Sequence, residues 1–123
     1  MTALEPVAPG FVLADIDPAS TPGLSSKKDA EKSLVETGAR LSELQERLFA
    51  QSKFGAQRSV LLVLQAMDTA GKGGIVRHVV GGVDPQGIRL HAFKAPTDEE
   101  KAHDFLWRVR PQLPMPGFIG VFD

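Results

Sequence analysis

The stretch SVLLVLQAMDTAGKGG, residues 59–74, constrains this chain more than any other. Its first part, SVLLVL at residues 59–64, lacks alternation, is short, and ends in small residues. Such a run predicts a strand covered on both faces in a parallel sheet. Gly71, Gly73 and Gly74 then surround Lys72, and apolar residues resume at Ile75, which predicts a helix over roughly residues 73–80. A glycine-rich turn between a buried strand and a helix lets successive backbone N–H groups converge on one anion, beside the positive end of the helix. The candidate phosphate-binding residues are therefore Met67, Thr69, Ala70, Gly71, Lys72, Gly73 and Gly74. Lys72 would reach the outer phosphates, and the glycines would leave the backbone bare. The general pattern G-x-x-x-x-G-K-[ST] is broken twice, by Ala66 at the first glycine and by Gly73 at the hydroxyl position. Asp68, inside the loop, offers a hard oxygen where the hydroxyl would have met a metal ion.

The flanking sequence predicts an α/β layered fold. Residues 1–26 are punctuated by Pro6, Pro9, Gly10, Pro18, Pro22 and Gly23 and read as an extended arm. From Ser26 to about Gly55 a stripe through Leu34, Leu41, Leu44 and Leu48 predicts an amphipathic helix, weakened at Gly38. VDPQG, residues 83–87, is a turn, and IRLHAF, residues 88–93, alternates as a second strand with Ile88, Leu90 and Ala92 on one side. APTDEEKAHDFLWRVR, residues 95–110, predicts a third helix that opens on a Thr97–Glu100 capping box and stops or bends at Pro111. On that helix Asp104 and Arg108 stand at i, i+4 as a surface pair, and Trp107 with Phe105 and Leu106 anchors helix to sheet. FIGVF, residues 118–122, is a third strand, followed by Asp123.

Charge and cysteine content exclude several functions. Fourteen Lys plus Arg stand against fifteen Asp plus Glu, a net charge of -1, so no overall field recruits nucleic acid or an anionic membrane and any anion site is local. The absence of cysteine removes disulfides, thiolate metal sites and thiol nucleophiles, and suits a reducing cytoplasm. The N-terminal stretch MTALEPVAPGFVLADIDPAS carries Glu5, Asp15 and Asp17 and reads as neither a signal peptide nor a membrane span. His78, His91 and His103 are too scattered for a metal triad, and Arg77 faces either a polyanion or solvent.

LQAMDTAGKGG, FKAPTDEEKAHDFLWR and FIGVFD resemble, in order and spacing, the first half of the type-2 polyphosphate kinase family, from about Lys27 to Asp123. The resemblance implies a phosphate-loop kinase-like parallel sheet with flanking helices, similar to thymidylate kinase and cut after about three strands. It implies Mg²⁺-dependent phosphoryl transfer between inorganic polyphosphate and a nucleoside mono- or diphosphate such as AMP or ADP. By the same resemblance Asp68, Lys72 and Asp123 are the catalytic residues, Asp68 and Asp123 direct the metal, and Lys94, Glu99 and Glu100 contact the purine nucleotide. Glu99 and Glu100 also read as first-turn capping groups.

Two other functions remain open at this stage. One is a non-catalytic remnant that binds phosphate weakly or associates through its sheet edges, with itself or with a longer relative. The other is a fragment of a small-metabolite kinase. Three strands with an exposed apolar face and edge predict marginal stability or aggregation.

Overall fold

The computed structural model describes residues 8–67 and 69–123; Met1 to Val7 and Asp68 lie outside it. The chain divides into two compact units, Met1–Glu36 and Thr37–Asp123. Among the described residues of the first, the arm holds a 3₁₀ turn, Leu13–Asp15, before helix α1 begins at Lys27. The start of α1 is fixed by Ser26, whose Oγ accepts from Asp29 N at 3.1 Å and donates to Asp29 Oδ2 at 2.7 Å. Lys27–Glu31 and Lys32–Glu36 follow as i, i+4 pairs, both at 3.9 Å.

Helix α1 runs Lys27–Ser52, so Gly38 is accommodated without a break. It stops at Gly55, which takes φ 90°. Gly55 N donates to Ser52 O at 3.2 Å and Ala56 N to Gln51 O at 3.2 Å, a closing pair of bonds that only a left-handed residue permits. The predicted leucine stripe packs incompletely, Leu34 and Leu44 remaining 44% and 45% exposed. The buried residue of α1 is instead Gln45, and a Cβ on Gly87 would collide with its side-chain amide. Gly87 is thus kept bare by the approach of Gln45.

Three short strands, β1 (Val60–Val63), β2 (Ile88–His91) and β3 (Ile119–Phe122), form a parallel sheet in the order β1-β3-β2. Leu62 pairs with Val121 and Leu90 pairs with Val121 from the other side, so β3 is central. Its centrality explains its burial. Val121 is fully buried and Phe122 nearly so, while Gly120 admits the ring of Pro114 to within about 3.0 Å of where a Cβ would stand. A parallel α/β layered sheet was expected and is present.

Several local expectations need correction. Residues 59–64 are not covered on both faces: Val60, Leu61 and Val63 are 48%, 41% and 60% exposed. The alternation of β2 fails after Ile88: Leu90 stands 56% exposed, while Phe93 and His91 pack with Phe122 at ring-centroid distances of 5.0 and 6.4 Å. The third helix is one turn only, α3 (Asp98–Lys101), before the chain enters successive turns and a 3₁₀ segment, Arg110–Gln112. The capping box does form, but Asp104 bonds the backbone N–H of Leu106 and bends the chain away from helix. Asp104 and Arg108 therefore never meet at helical spacing. Asp104 pairs with Arg110 at 2.9 Å and Arg108 with Glu100 at 3.2 Å. Trp107 stacks on His103 with ring centroids 4.2 Å apart, and Phe105, 82% exposed, is not part of an anchor to the sheet.

Among the described residues no helix is long and apolar enough to cross a membrane.

Candidate functional site

The strands all deliver their carboxyl ends to one edge. Leu64 N donates to Phe122 O at 2.8 Å, Asp123 N to His91 O at 3.1 Å, and Phe93 N to Asp123 O at 2.7 Å. Backbone pairing thus carries Asp123 to the middle of the edge where open parallel sheets place their ligands. The glycine-rich loop leaves β1 at the same edge and leads into helix α2 (Lys72–His78).

Local conformation explains the composition of the loop. Gly71, the N-cap, has φ 92°, a left-handed value that penalises any residue with a Cβ. Thr69 at φ 62° is the non-glycine residue forced into the same region, costly for a β-branched side chain. Gly73 and Gly74 lie inside α2, where each costs about 1 kcal/mol relative to alanine. Among the described residues, nothing beyond the chain neighbours and the helix's own backbone lies within 4 Å of where their Cβ atoms would be. Internal packing does not demand glycine there, and the open space leaves the backbone accessible to a ligand. Gly74 N and Ile75 N both donate to Gly71 O, at 2.9 and 3.2 Å. The N–H groups of Lys72 and Gly73 occupy the first helical positions, which have no acceptor within their own helix.

Lys72 folds back over the loop it terminates. Its Nζ donates to the carbonyl of Ala66 at 3.3 Å and lies 3.9 Å from Asp123 Oδ1, with about a quarter of the lysine side chain exposed. Asp123 Oδ1 is buried, and no hydrogen-bond donor among the described residues reaches it. A cation beside a loop and a carboxylate oxygen short of partners form a centre suited to phosphate oxygens and a hard divalent ion. The structure brings Lys72, Asp123 and the loop residues Met67, Thr69, Ala70, Gly71, Gly73 and Gly74 to the same edge. Asp68 lies outside the described residues. Among the described residues there is no cluster of three or more metal-ligating side chains.

Lys94 and Glu100 line a separate open groove of about 470 Å³ with Phe93, His103, Phe105 and Arg108. Glu100 Oε2 accepts from Thr97 N at 2.8 Å and meets Arg108 Nη1 at 3.2 Å. Arg108 Nη2 donates to Lys94 O at 2.7 Å, and its guanidinium lies 5.0 Å over the ring of Phe93. Glu100 and Arg108 therefore brace the segment that carries Lys94. Glu99 is exposed and outside this groove. Sequence spacing missed Arg108, because it meets Glu100 only after the chain has left α3. It also missed Ala66, whose carbonyl, not its side chain, receives Lys72.

A second groove, about 410 Å³, is lined by Leu61, Val63, Leu64, Gln65, Phe93, Val109, Phe122 and Asp123. Phe93 and Val109 line both grooves and form a wall between them.

Comparison with known proteins places these features in context. The sequence profile of the Polyphosphate kinase 2 (PPK2) family matches residues 24–123. An ADP-polyphosphate phosphotransferase of Rhodopseudomonas palustris is 45% identical over 83% of this chain and 34% of its own length. An AMP/ADP-polyphosphate phosphotransferase of Meiothermus ruber is 42% identical over 92% of this chain and 41% of its own. The crystal structure of Polyphosphate Kinase 2 from Arthrobacter aurescens superposes with a TM-score of 0.89 at 63% identity, covering 95% of this chain and 42% of that one. The chain thus spans between about a third and two fifths of the length of these relatives.

Proposed function

The chain belongs to the polyphosphate kinase 2 family, and on that premise we propose that its loop and sheet edge serve phosphoryl transfer between inorganic polyphosphate and a nucleoside mono- or diphosphate. The observation that carries this reading is the position of Lys72 Nζ, between the loop carbonyl of Ala66 and the Asp123 carboxylate. An incoming polyphosphate offers the ammonium anionic oxygens, which add opposite charge to the hydrogen bond that the neutral carbonyl of Ala66 already accepts. Lys72 then leaves Ala66 for the phosphate oxygens, and the bare backbone of Gly71, Gly73 and Gly74 lets the chain of phosphates lie against the loop.

The donor chemistry fits Mg²⁺. Asp123 Oδ1 is a hard oxygen, buried and without a hydrogen-bond donor among the described residues, and it would hold the ion together with Asp68. When bound, Mg²⁺ neutralises charge on the transferring phosphoryl group. The chain's own residues orient and neutralise: Lys72 holds the polyphosphate side, while Lys94, fixed by Arg108 and Glu100, faces the nucleotide side. The residue class matches the demands of phosphoryl transfer, in which catalysis is almost entirely positioning and charge stabilisation.

The test is a coupled assay for ATP formed from polyphosphate and ADP, and for ADP formed from polyphosphate and AMP. Mg²⁺-dependent turnover that disappears in Lys72→Ala is the expected result; absence of turnover in the parent chain overturns the catalytic reading. A second reading is polyphosphate binding without turnover. In that case titration calorimetry detects polyphosphate binding, sensitive to Lys72→Ala, while the coupled assay stays silent.

A further inference from the structure

We infer that Phe93 is a positioning residue: one aromatic side chain that sets Lys94, on the nucleotide side of the candidate site, against Asp123, on its phosphate side. The inference deepens the phosphotransferase reading and rests on it for the assignment of those two sides. Phe93 follows β2 by two residues and is half-buried. It is the shared corner of two short circuits of contacts. In one, Phe93 N donates to Asp123 O at 2.7 Å, and the Phe93 ring meets that of Phe122, the residue before Asp123, edge to face at 5.0 Å. In the other, the Arg108 guanidinium lies 5.0 Å over the same ring, and its Nη2 donates at 2.7 Å to the carbonyl of Lys94, the residue after Phe93. Each circuit ties Phe93 to its target twice, once through the main chain and once through the ring.

This arrangement asks for an aromatic ring and not for bulk alone. A ring has a negative face, which attracts a guanidinium within about 6 Å, and a positive edge, which suits the T-shaped approach of another ring. Phe93 makes both kinds of contact: Arg108 stands over it, while Phe122 and His91 meet it at interplanar angles of 85° and 65°. A leucine fills much of the same space but gives Arg108 no such face. Because Phe93 lines both grooves, its ring spaces the Lys94 segment from Asp123. Phosphoryl transfer proceeds in line, and a displacement of about 1 Å at such a site can cost about a hundredfold in rate.

The experiment measures amide hydrogen exchange by NMR on the intact chain without ligand. Rates are taken relative to amides of α1, so that global opening cancels. Arg108 bonds Lys94 and Glu100, not Asp123. Arg108→Gln should nevertheless quicken exchange of the Phe93 and Asp123 amides by about fivefold or more, because it takes the cation off the ring they share. In a Phe93→Leu background the same substitution should add less than about twofold, since coupled contacts are non-additive; Phe93→Tyr, which keeps the ring, should preserve the full effect. Phe93→Leu alone should quicken both Asp123 and Thr97, whose N–H bonds the Glu100 carboxylate that Arg108 holds. If Phe93→Leu does not fold, Phe93→Met takes its place, and the Arg108→Gln measurement needs neither. An Asp123 amide indifferent to Arg108→Gln overturns the inference. So does an undiminished effect of Arg108→Gln in Phe93→Leu, which makes Phe93 an apolar filler. Where ATP formation from polyphosphate and ADP is measurable, Phe93→Leu should lower kcat at least about tenfold with KM within about threefold, and Phe93→Tyr should recover it. A kcat loss that Phe93→Tyr does not recover, or none in Phe93→Leu, overturns it too. A parent chain without turnover counts against the phosphotransferase reading alone and leaves the exchange result to decide whether Phe93 couples the Lys94 segment to Asp123.

Discussion

Lys72 Nζ lies 3.9 Å from Asp123 Oδ1, although the lysine opens α2 and the aspartate follows β3. They meet because β1 and β3 pair in parallel with Val63 opposite Phe122, which brings the loop after one strand beside the residue after the other. At this separation, with about a quarter of each side chain exposed, the pair contributes at most ~1 kcal/mol to stability. Under the proposed function, by contrast, polyphosphate binding depends on the ammonium directly. Lys72→Met should therefore change the chemical-denaturation midpoint little, by less than ~1 kcal/mol. It should weaken polyphosphate affinity at least about tenfold, or ~1.4 kcal/mol, in titration calorimetry. A variant that loses stability while keeping affinity would assign Lys72 to structure.

Gly71 and Gly73 separate backbone strain from ligand access. Gly71 stands at φ 92° with open space around it, so Gly71→Ala should cost about 1–2 kcal/mol from the left-handed backbone alone. Gly73 is helical and equally open, so Gly73→Ala should raise stability, by up to about 1 kcal/mol, through helix propensity. The same methyl would stand where phosphate oxygens approach the backbone, and polyphosphate affinity should fall. Thermal melts and calorimetry on the two variants check the pairing: stability moves in opposite directions while affinity falls in both.

The fold was legible in the sequence where short-range patterns and the fold agree. The apolar run at residues 59–64, the glycines around Lys72 and the Thr97–Glu100 box each describe a local backbone state, and each corresponds to an element in place. Gly55 likewise ends α1 through a left-handed turn readable from one residue. What was not legible depended on partners distant in sequence. Residues 95–110 have helical composition, yet Asp104 captures a backbone N–H two residues on and turns the chain. Leu90 looked like a core position by alternation, but His91 and Phe93 are the residues that meet Phe122. Gln45 is polar and nevertheless the buried residue of α1, because Gly87 approaches it from another part of the chain. In the candidate site, the residue types at Lys72 and Asp123 were readable; the role of the Ala66 carbonyl and the Arg108–Lys94 bond required coordinates.

The Asp104–Arg110 contact gives a pH dependence with a definite sign. The Arg110 side chain bonds Asp104 through two contacts, 2.9 and 3.1 Å, and holds its carboxyl below the ordinary aspartate range, with the Leu106 N–H adding to the effect against slight desolvation. A carboxyl with a depressed folded-state pKa stabilises the fold above its unfolded value, about 3.9, and that contribution disappears as pH falls through the lower folded value. The difference in stability between the parent chain and Asp104→Asn should therefore be constant near neutral pH and shrink below about pH 3.9. A carbon-detected NMR titration of the Asp104 carboxyl checks the origin: its midpoint should rise in Arg110→Gln.

Arg108 is the brace whose loss should be felt at Lys94. Its side chain is 16% exposed and Glu100's is 24%, so this pair is shielded far better than the surface pairs of α1. Its Nη2 bond to Lys94 O, at 2.7 Å, is charge-assisted and of a kind worth roughly 1.5–3 kcal/mol when the partners are well ordered. Arg108→Ala should cost about 1–2 kcal/mol, since solvent compensates part of the loss. Arg108→Lys should recover little, because one ammonium cannot span Glu100 and the Lys94 carbonyl as a planar fork does. Trp107 provides the readout as the single tryptophan in the chain. It is adjacent to Arg108 and stacked on His103, which lines the Lys94 groove, so freeing that segment should shift Trp107 emission in native buffer. If emission and the exchange rates of residues 94–97 are unchanged in Arg108→Ala, Arg108 does not position Lys94, and the nucleotide side of the site must be held by other residues.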